Sequence, residues 1–203
     1  PGRPVPVFED ILAAWSTGSL PLKLGIAIAV AGIAVFVFLN LKLLFWNLSH
    51  YAALKKTERF GKLRNSNAES TLLALPLALA MSVNGAFIAG LVFVPNLWSI
   101  VEYLFPFAMI AFGGIGWIAL SIIGDFLGRV LAKGGVFDVT AHNSFAQMLP
   151  AFALAMIGVG FAAPAAMSQV PWVIGTSLVL STFFAVTSLA YSILAMTTAF
   201  NSM

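Results

Sequence analysis

The sequence predicts an all-α, polytopic membrane protein, a bundle of five transmembrane helices connected as helical hairpins. Hydrophobic residues make up 61% of the chain and charged residues only 8%, whereas a soluble domain carries roughly 25% charged residues. Five stretches each contain the roughly 20 apolar residues that one membrane crossing requires. The predicted spans, all within one domain of residues 1–203, are residues 21–46, 71–94, 100–127, 144–166 and 170–200.

The first 20 residues are too polar to form a span. They lack a basic region followed by an apolar core, so they do not form a signal peptide. Two interpretations stay open, a short amphipathic helix at the membrane surface and a capping loop. The helical interpretation depends on the spacing of Phe8, Ile11, Leu12 and Trp15.

The distribution of basic residues predicts the orientation of the chain. The connection between the first two spans contains five basic residues, and the connection between the third and fourth contains Arg129 and Lys133. The other two connections contain no lysine or arginine. Because cytoplasmic loops are enriched in basic residues, we expect the first and third connections in the cytoplasm. The amino end is then outside and the carboxyl end inside.

Two prolines occupy matching places in the second and fourth spans. Pro76 follows Ser70 by six residues, and Pro150 follows Ser144 by six residues. A proline inside a helix removes a backbone hydrogen bond, and in lipid the freed carbonyl needs a neighbour or water to bind. The pair therefore indicates either a pore between two kinked helices or an ordinary adjustment of packing. Both interpretations stay open at this point.

Few polar side chains lie within the spans. Asn84 is near the middle of the second span, where an amide usually bonds a neighbouring helix and can also face a lumen. The hydroxyl groups of the fifth span are interpreted as helix-packing contacts. His142 and Asn143 precede the fourth span, and with Arg129 and Lys133 they are the candidates for a cytoplasmic mouth.

The sequence contains no catalytic or metal-binding motif. It has no cysteine, and its two histidines, His50 and His142, lie in predicted loops. We therefore expect neither an enzyme nor a cofactor, and we expect no nucleic-acid partner. Glu102 and Asp125 lie at predicted helix ends. Because proton and cation pathways usually need a carboxylate at depth, the pattern favours anions.

Two segments resemble the tellurite-resistance/dicarboxylate transporter family, which includes a bacterial tellurite-resistance channel homologue and the plant slow anion channels. One is LRNSNAESTLLALPLALAM, residues 63–81, a basic loop that enters a proline-containing span. The other is GGVFDVTAHNSFAQMLPAFALAMIGVG, residues 134–160. It is similar to a family segment with a His–Pro–Ser-like step, although Asn143 stands here in place of that step's proline.

The resemblance implies transport of small anions, of the inorganic, sulfite, tellurite or dicarboxylate class. It also implies a ten-helix pore in which this chain supplies the second to sixth spans, a homotrimer, contact with membrane lipid and a place in the bacterial inner membrane. The second and fourth spans of this chain then line the pore. The predicted lining residues are Pro76, Ala80, Asn84, Pro150, Leu154 and Gly158. The alternative is a non-catalytic structural subunit of a membrane complex.

Overall fold

The computed structural model describes residues 5–64, 66–132 and 145–201, and within these residues the chain is all-helical, without strands. Short 3₁₀ segments precede α4, α5 and α6 at Asn67–Leu73, Leu97–Ile100 and Phe145–Met148. The α-helices are α1 Phe8–Thr17, α2 Leu20–Leu54, α3 Glu58–Arg64, α4 Ala74–Phe93, α5 Val101–Ala132, α6 Leu149–Met167 and α7 Pro171–Asn201.

Five segments of the described chain are long and apolar enough to cross a membrane, which confirms the predicted number of spans. They correspond to α2, α4, α5, α6 and α7, with the 3₁₀ segments before α4 and α5 included. By length and composition, the chain is an integral membrane protein. The candidate spans are Leu20–Leu54, Ala68–Phe93, Leu97–Arg129, Leu149–Met167 and Pro171–Thr197.

Helix α2 extends eight residues beyond its predicted end at residue 46. The added two turns contain several polar residues, but their side chains bond to carbonyls of their own helix. Asn47 Nδ2 donates to the carbonyl of Leu43 at 2.8 Å, and Ser49 Oγ donates to that of Trp46 at 2.8 Å. Because these groups are satisfied locally, polar composition did not end the helix.

Helix α6 is the centre of the bundle. It packs against α4, α5 and especially α7, whereas α2 contacts mainly α4 and has no buried residue. The core around α6 is rich in phenylalanine. The centres of the Phe112 and Phe161 rings lie 5.9 Å apart, and the Phe161 ring stacks on the Phe184 ring at 5.9 Å. Helices α4, α5, α6 and α7 therefore form a four-helix core with α2 at its edge, and the candidate site lies within this core.

Carboxylates fix two of the connections. Glu102 Oε2 accepts a hydrogen bond from Ser168 Oγ at 2.7 Å, and its Oε1 accepts one from the backbone N–H of Gln169 at 2.7 Å. Glu9 Oε1 accepts one from the N–H of Asn96 at 2.6 Å. Ionised acceptors make stronger hydrogen bonds than neutral ones. Each glutamate thus ties a turn between two spans to a neighbouring helix.

The amino-terminal segment forms a helix, α1, which agrees with the helical interpretation of its pattern. Its position at a membrane surface stays a prediction. After Gly18 the chain turns and α2 begins, and α1 packs against both α2 and α4. A Cβ at Gly18 would collide with the carbonyl oxygen of Ala14 and would lie 2.9 Å from Cδ2 of Leu22, so the turn requires glycine.

Candidate functional site

The predicted kinks at Pro76 and Pro150 are wrong. Pro150 is the second residue of α6 and Pro76 is the third residue of α4, and each follows a 3₁₀ segment. The first N–H groups of an α-helix have no intrahelical acceptor, so a proline in the first turn interrupts nothing. The two helices do begin alike, but their prolines mark helix starts and are not sources of freed carbonyls.

The other predicted lining residues of α4 and α6 lie at helix contacts. Ala80 and Leu154 have no exposed surface. Gly158 faces α7, where Ser181 Oγ donates to the Gly158 carbonyl at 2.9 Å. Ser188 repeats this contact one heptad later by donating to the carbonyl of Ala151 at 2.8 Å. These two hydroxyls therefore join helices, as predicted, while the pore-lining role of Ala80, Leu154 and Gly158 stays a prediction.

Asn84 differs from these packed positions. Its Nδ2 is buried and has no hydrogen-bond partner in the part of the chain that the structure describes. It borders a small cavity of about 30 Å³ between α4, α5 and α6. Buried polar groups are normally paired, so an amide left unpaired near the middle of a span calls for an explanation. The cavity walls are Val83, Asn84, Phe87, Phe105, Ala108, Phe112, Gly160, Ala163 and Pro164.

Pro164 is a residue of this site that the sequence reasoning missed. It lies inside α6 and cannot donate to the carbonyl of Gly160, one turn before it. The freed backbone carbonyl that the sequence predicted at Pro76 and Pro150 is therefore expected at Pro164 instead. The signal was present as a proline in the last turn of the fourth predicted span, 14 residues after Pro150. Asn84, Gly160 and Pro164 thus line the same cavity.

Phenylalanine rings close the cavity on the α5 side. The Phe87 and Phe105 rings lie 6.2 Å apart, with their planes tilted by 32°. The Phe112 ring lies directly on Gly160, where an added Cβ would overlap the ring atoms. A volume of about 30 Å³ accommodates roughly one water molecule. The site therefore contains one amide side chain, that of Asn84, surrounded mainly by phenylalanine rings.

A cluster of charges lies at the end of the bundle that we call the basic end, formed by the α3–α4 region and the carboxyl end of α5. Glu69 has a buried side chain, pairs with Arg129 and lies 3.7 Å from Nε of Arg64. Arg64 also bonds Asp125, with 2.6 Å between Nη2 and Oδ2. The predicted mouth residue Arg129 is thus neutralised by a carboxylate. The other three predicted mouth residues, Lys133, His142 and Asn143, lie outside the described residues.

Among the described residues, no group of three histidine, aspartate or glutamate side chains is placed to hold a metal ion. Comparisons with protein-family models, with curated proteins and with solved structures found no match to this chain.

Proposed function

We propose that this protein transports small anions across a membrane, and that the anion passes the Asn84 cavity. The observation that carries the proposal is Nδ2 of Asn84, near the middle of α4, which is buried and has no hydrogen-bond partner among the described residues. An amide N–H is a donor with partial positive charge. It can replace part of an anion's hydration shell without binding the anion tightly, and conduction needs such weak, favourable contacts.

The distribution of acids supports an anion over a cation or a proton. Glu69 precedes α4, Glu102 is in the first turn of α5, and Asp125 lies in its last two turns. Each of these carboxylates is engaged by a hydrogen bond or an ion pair. A cation pathway usually places a carboxylate along the route at depth.

The cavity at Asn84 fits about one water and is smaller than an anion with its first hydration shell. An anion passes only when a ring moves, so Phe87, Phe105 or Phe112 acts as the barrier. Rotation of a packed phenylalanine makes the site a gate that opens intermittently. Transport is then slow compared with that of an open water-filled pore.

The family resemblance supplies the finer parts of the proposal. These parts are a ten-helix pore, a homotrimer and the bacterial inner membrane, with the amino end of this chain outside. In this proposed arrangement α4 and α6 line the anion route, and the lining residues are Pro76, Ala80, Asn84, Pro150, Leu154 and Gly158. Tellurite, sulfite, dicarboxylates and simple inorganic anions are the candidate substrates.

A non-catalytic structural subunit is the second candidate. The complete burial of Ala80 and Leu154 favours it, because fully packed residues leave no room for an ion beside them. In that case the Asn84 amide serves only to bind another helix or a buried water.

Flux from liposomes separates the two candidates. The purified protein is reconstituted, and chloride and nitrate efflux are measured against potassium efflux in the same vesicles. Transport predicts anion efflux above that of protein-free liposomes, without a matching rise in potassium efflux. Efflux equal to that of protein-free liposomes contradicts the proposal and favours the structural subunit.

A further inference from the structure

A groove lies away from the Asn84 cavity, between the second half of α2 and the start of α4. Its volume is about 830 Å³, within the range of ligand-binding pockets. Its walls are mostly apolar, and they include Leu43, Leu44, Leu54, Leu75 and Ala78. The groove ends at a polar contact, where Ser82 Oγ donates to Asn40 Oδ1 at 2.9 Å.

The length of the groove matches one leaflet of a bilayer. From Asn40 to His50, both of which line it, α2 advances ten residues. This distance is about 15 Å at 1.5 Å per residue, half of a hydrocarbon core of about 30 Å. An acyl chain that enters at His50 and extends across one leaflet therefore reaches the Asn40–Ser82 contact.

The open end of the groove has the side chains of a membrane interface. The Trp46 ring stacks on His50 at 3.9 Å, and Lys55 Nζ lies 5.0 Å from the centre of the Tyr51 ring. Tryptophan, tyrosine and lysine are enriched at the level of lipid headgroups. Tyr51 and His50 both line the groove, so the interface side chains and the apolar walls belong to one surface.

The charge at this end is strongly positive. Residues 55–64 contain five basic side chains and one acidic side chain. Arg64 is engaged by Asp125 and Glu69. Within the described part of the chain, no carboxylate lies within ion-pair distance of the other four, which are Lys55, Lys56, Arg59 and Lys62. Basic pockets between transmembrane helices are typical sites for anionic headgroups.

We propose that this groove binds an anionic phospholipid, with an acyl chain between α2 and α4 and the phosphate near Lys55 and Lys56. The charge favours an anionic headgroup over a zwitterionic one. The apolar walls favour a lipid over a soluble phosphate, because inorganic phosphate gains nothing from Leu43, Leu75 or Ala78. The site is independent of the proposed anion route, since no residue of the Asn84 cavity lines it.

Native mass spectrometry of the purified protein tests this site. The probes are dioleoylphosphatidylglycerol and dioleoylphosphatidylcholine, added separately and together. We expect the protein to retain phosphatidylglycerol in preference to phosphatidylcholine. Replacing both Lys55 and Lys56 by alanine should lower the affinity for phosphatidylglycerol roughly 30-fold, at about fivefold for each basic residue. Lys23→Ala, at the opposite end of α2, is the matched control and should change nothing.

A second variant tests the groove itself. Ala78 is exposed and lines the groove, so Ala78→Trp fills it without entering the core. Ala86→Trp is the control, because Ala86 is exposed on the same helix and does not line the groove. We expect loss of phosphatidylglycerol from Ala78→Trp only, with unfolding temperatures unchanged in both variants.

Three results would each overturn the proposal. The first is equal retention of the two lipids by the wild-type protein. The second is unchanged retention of phosphatidylglycerol in either the double lysine variant or Ala78→Trp. The third is displacement of phosphatidylglycerol by millimolar inorganic phosphate, which would show a headgroup patch without a lipid groove.

Discussion

Pro164 follows Gly160 by one helical turn in α6, and both residues line the small cavity that Asn84 also lines. Proline has no N–H to donate to the Gly160 carbonyl. The same small space is therefore lined by Gly160, whose carbonyl lacks its usual α-helical donor, and by Asn84, whose buried Nδ2 has no hydrogen-bond partner among the described residues. This polarity within an aromatic core is the basis of the proposed transport route.

Replacing Pro164 by alanine should make α6 more stable and the protein a poorer transporter. Alanine restores the N–H that bonds to the Gly160 carbonyl and removes the ring that crowds the preceding turn. Because the rings of Pro164 and Pro150 are both buried, both alanine variants lose packing, so we expect Pro164→Ala to exceed Pro150→Ala in unfolding free energy by about 1–3 kcal/mol and to show a lower anion flux. Thermal unfolding in detergent and efflux from liposomes measure the two effects.

Pro150→Ala is the matched control for Pro164→Ala. Pro150 lies in the first turn of the same helix, where no intrahelical bond is restored. Its effect on unfolding should stay below about 1 kcal/mol. Equal stabilisation by the two substitutions would contradict the distinction between a helix-start proline and an interior proline.

Gly160→Ala should destabilise the protein by about 1–3 kcal/mol, the usual cost of overpacking a core. The added methyl group overlaps the Phe112 ring, which is itself buried and cannot move freely. Gly85→Ala on α4 is the control, since an added Cβ there meets no atom within 4 Å. Chemical or thermal unfolding distinguishes them. If both variants lost the same stability, close packing of Phe112 on Gly160 would not be the cause.

Glu69→Gln should cost about 3 kcal/mol of stability, because it leaves Arg129 and Arg64 without their shared carboxylate. Glu58→Gln, at an exposed position of α3, should change stability by less than about 0.5 kcal/mol. A double-mutant cycle with Arg129→Met measures the coupling. Additive effects of Glu69→Gln and Arg129→Met would show that the pair contributes nothing as a pair.

The number of spans could be predicted from the sequence because apolar length alone determines whether a helix can cross a membrane. The end of α2 could not be predicted from the sequence. His50 and Asn47 indicate a loop by composition, and only their contacts with carbonyls one turn back show that the helix continues. Composition does not reveal whether a polar side chain forms its hydrogen bonds with carbonyls of its own helix or with solvent.

The candidate site was predicted in part. Asn84 could be recognised from the sequence because a mid-span amide is rare and must bond something. The role of Pro164 was missed, since a proline's effect depends on where its helix starts, and 3₁₀ segments shift the starts of α4 and α6. The Glu69–Arg129 pair was also missed, because its partners are 60 residues apart and meet only in the folded chain.

Efflux from liposomes containing Asn84→Leu tests the central claim most directly. Leucine has the same branched heavy-atom skeleton as asparagine and removes the donor, so the account predicts a protein that folds and loses most of its anion flux. Asn47→Leu is the control, because the Asn47 amide bonds its own helix and lies outside the Asn84 cavity. Unchanged chloride and nitrate efflux from folded Asn84→Leu protein would contradict the proposed route.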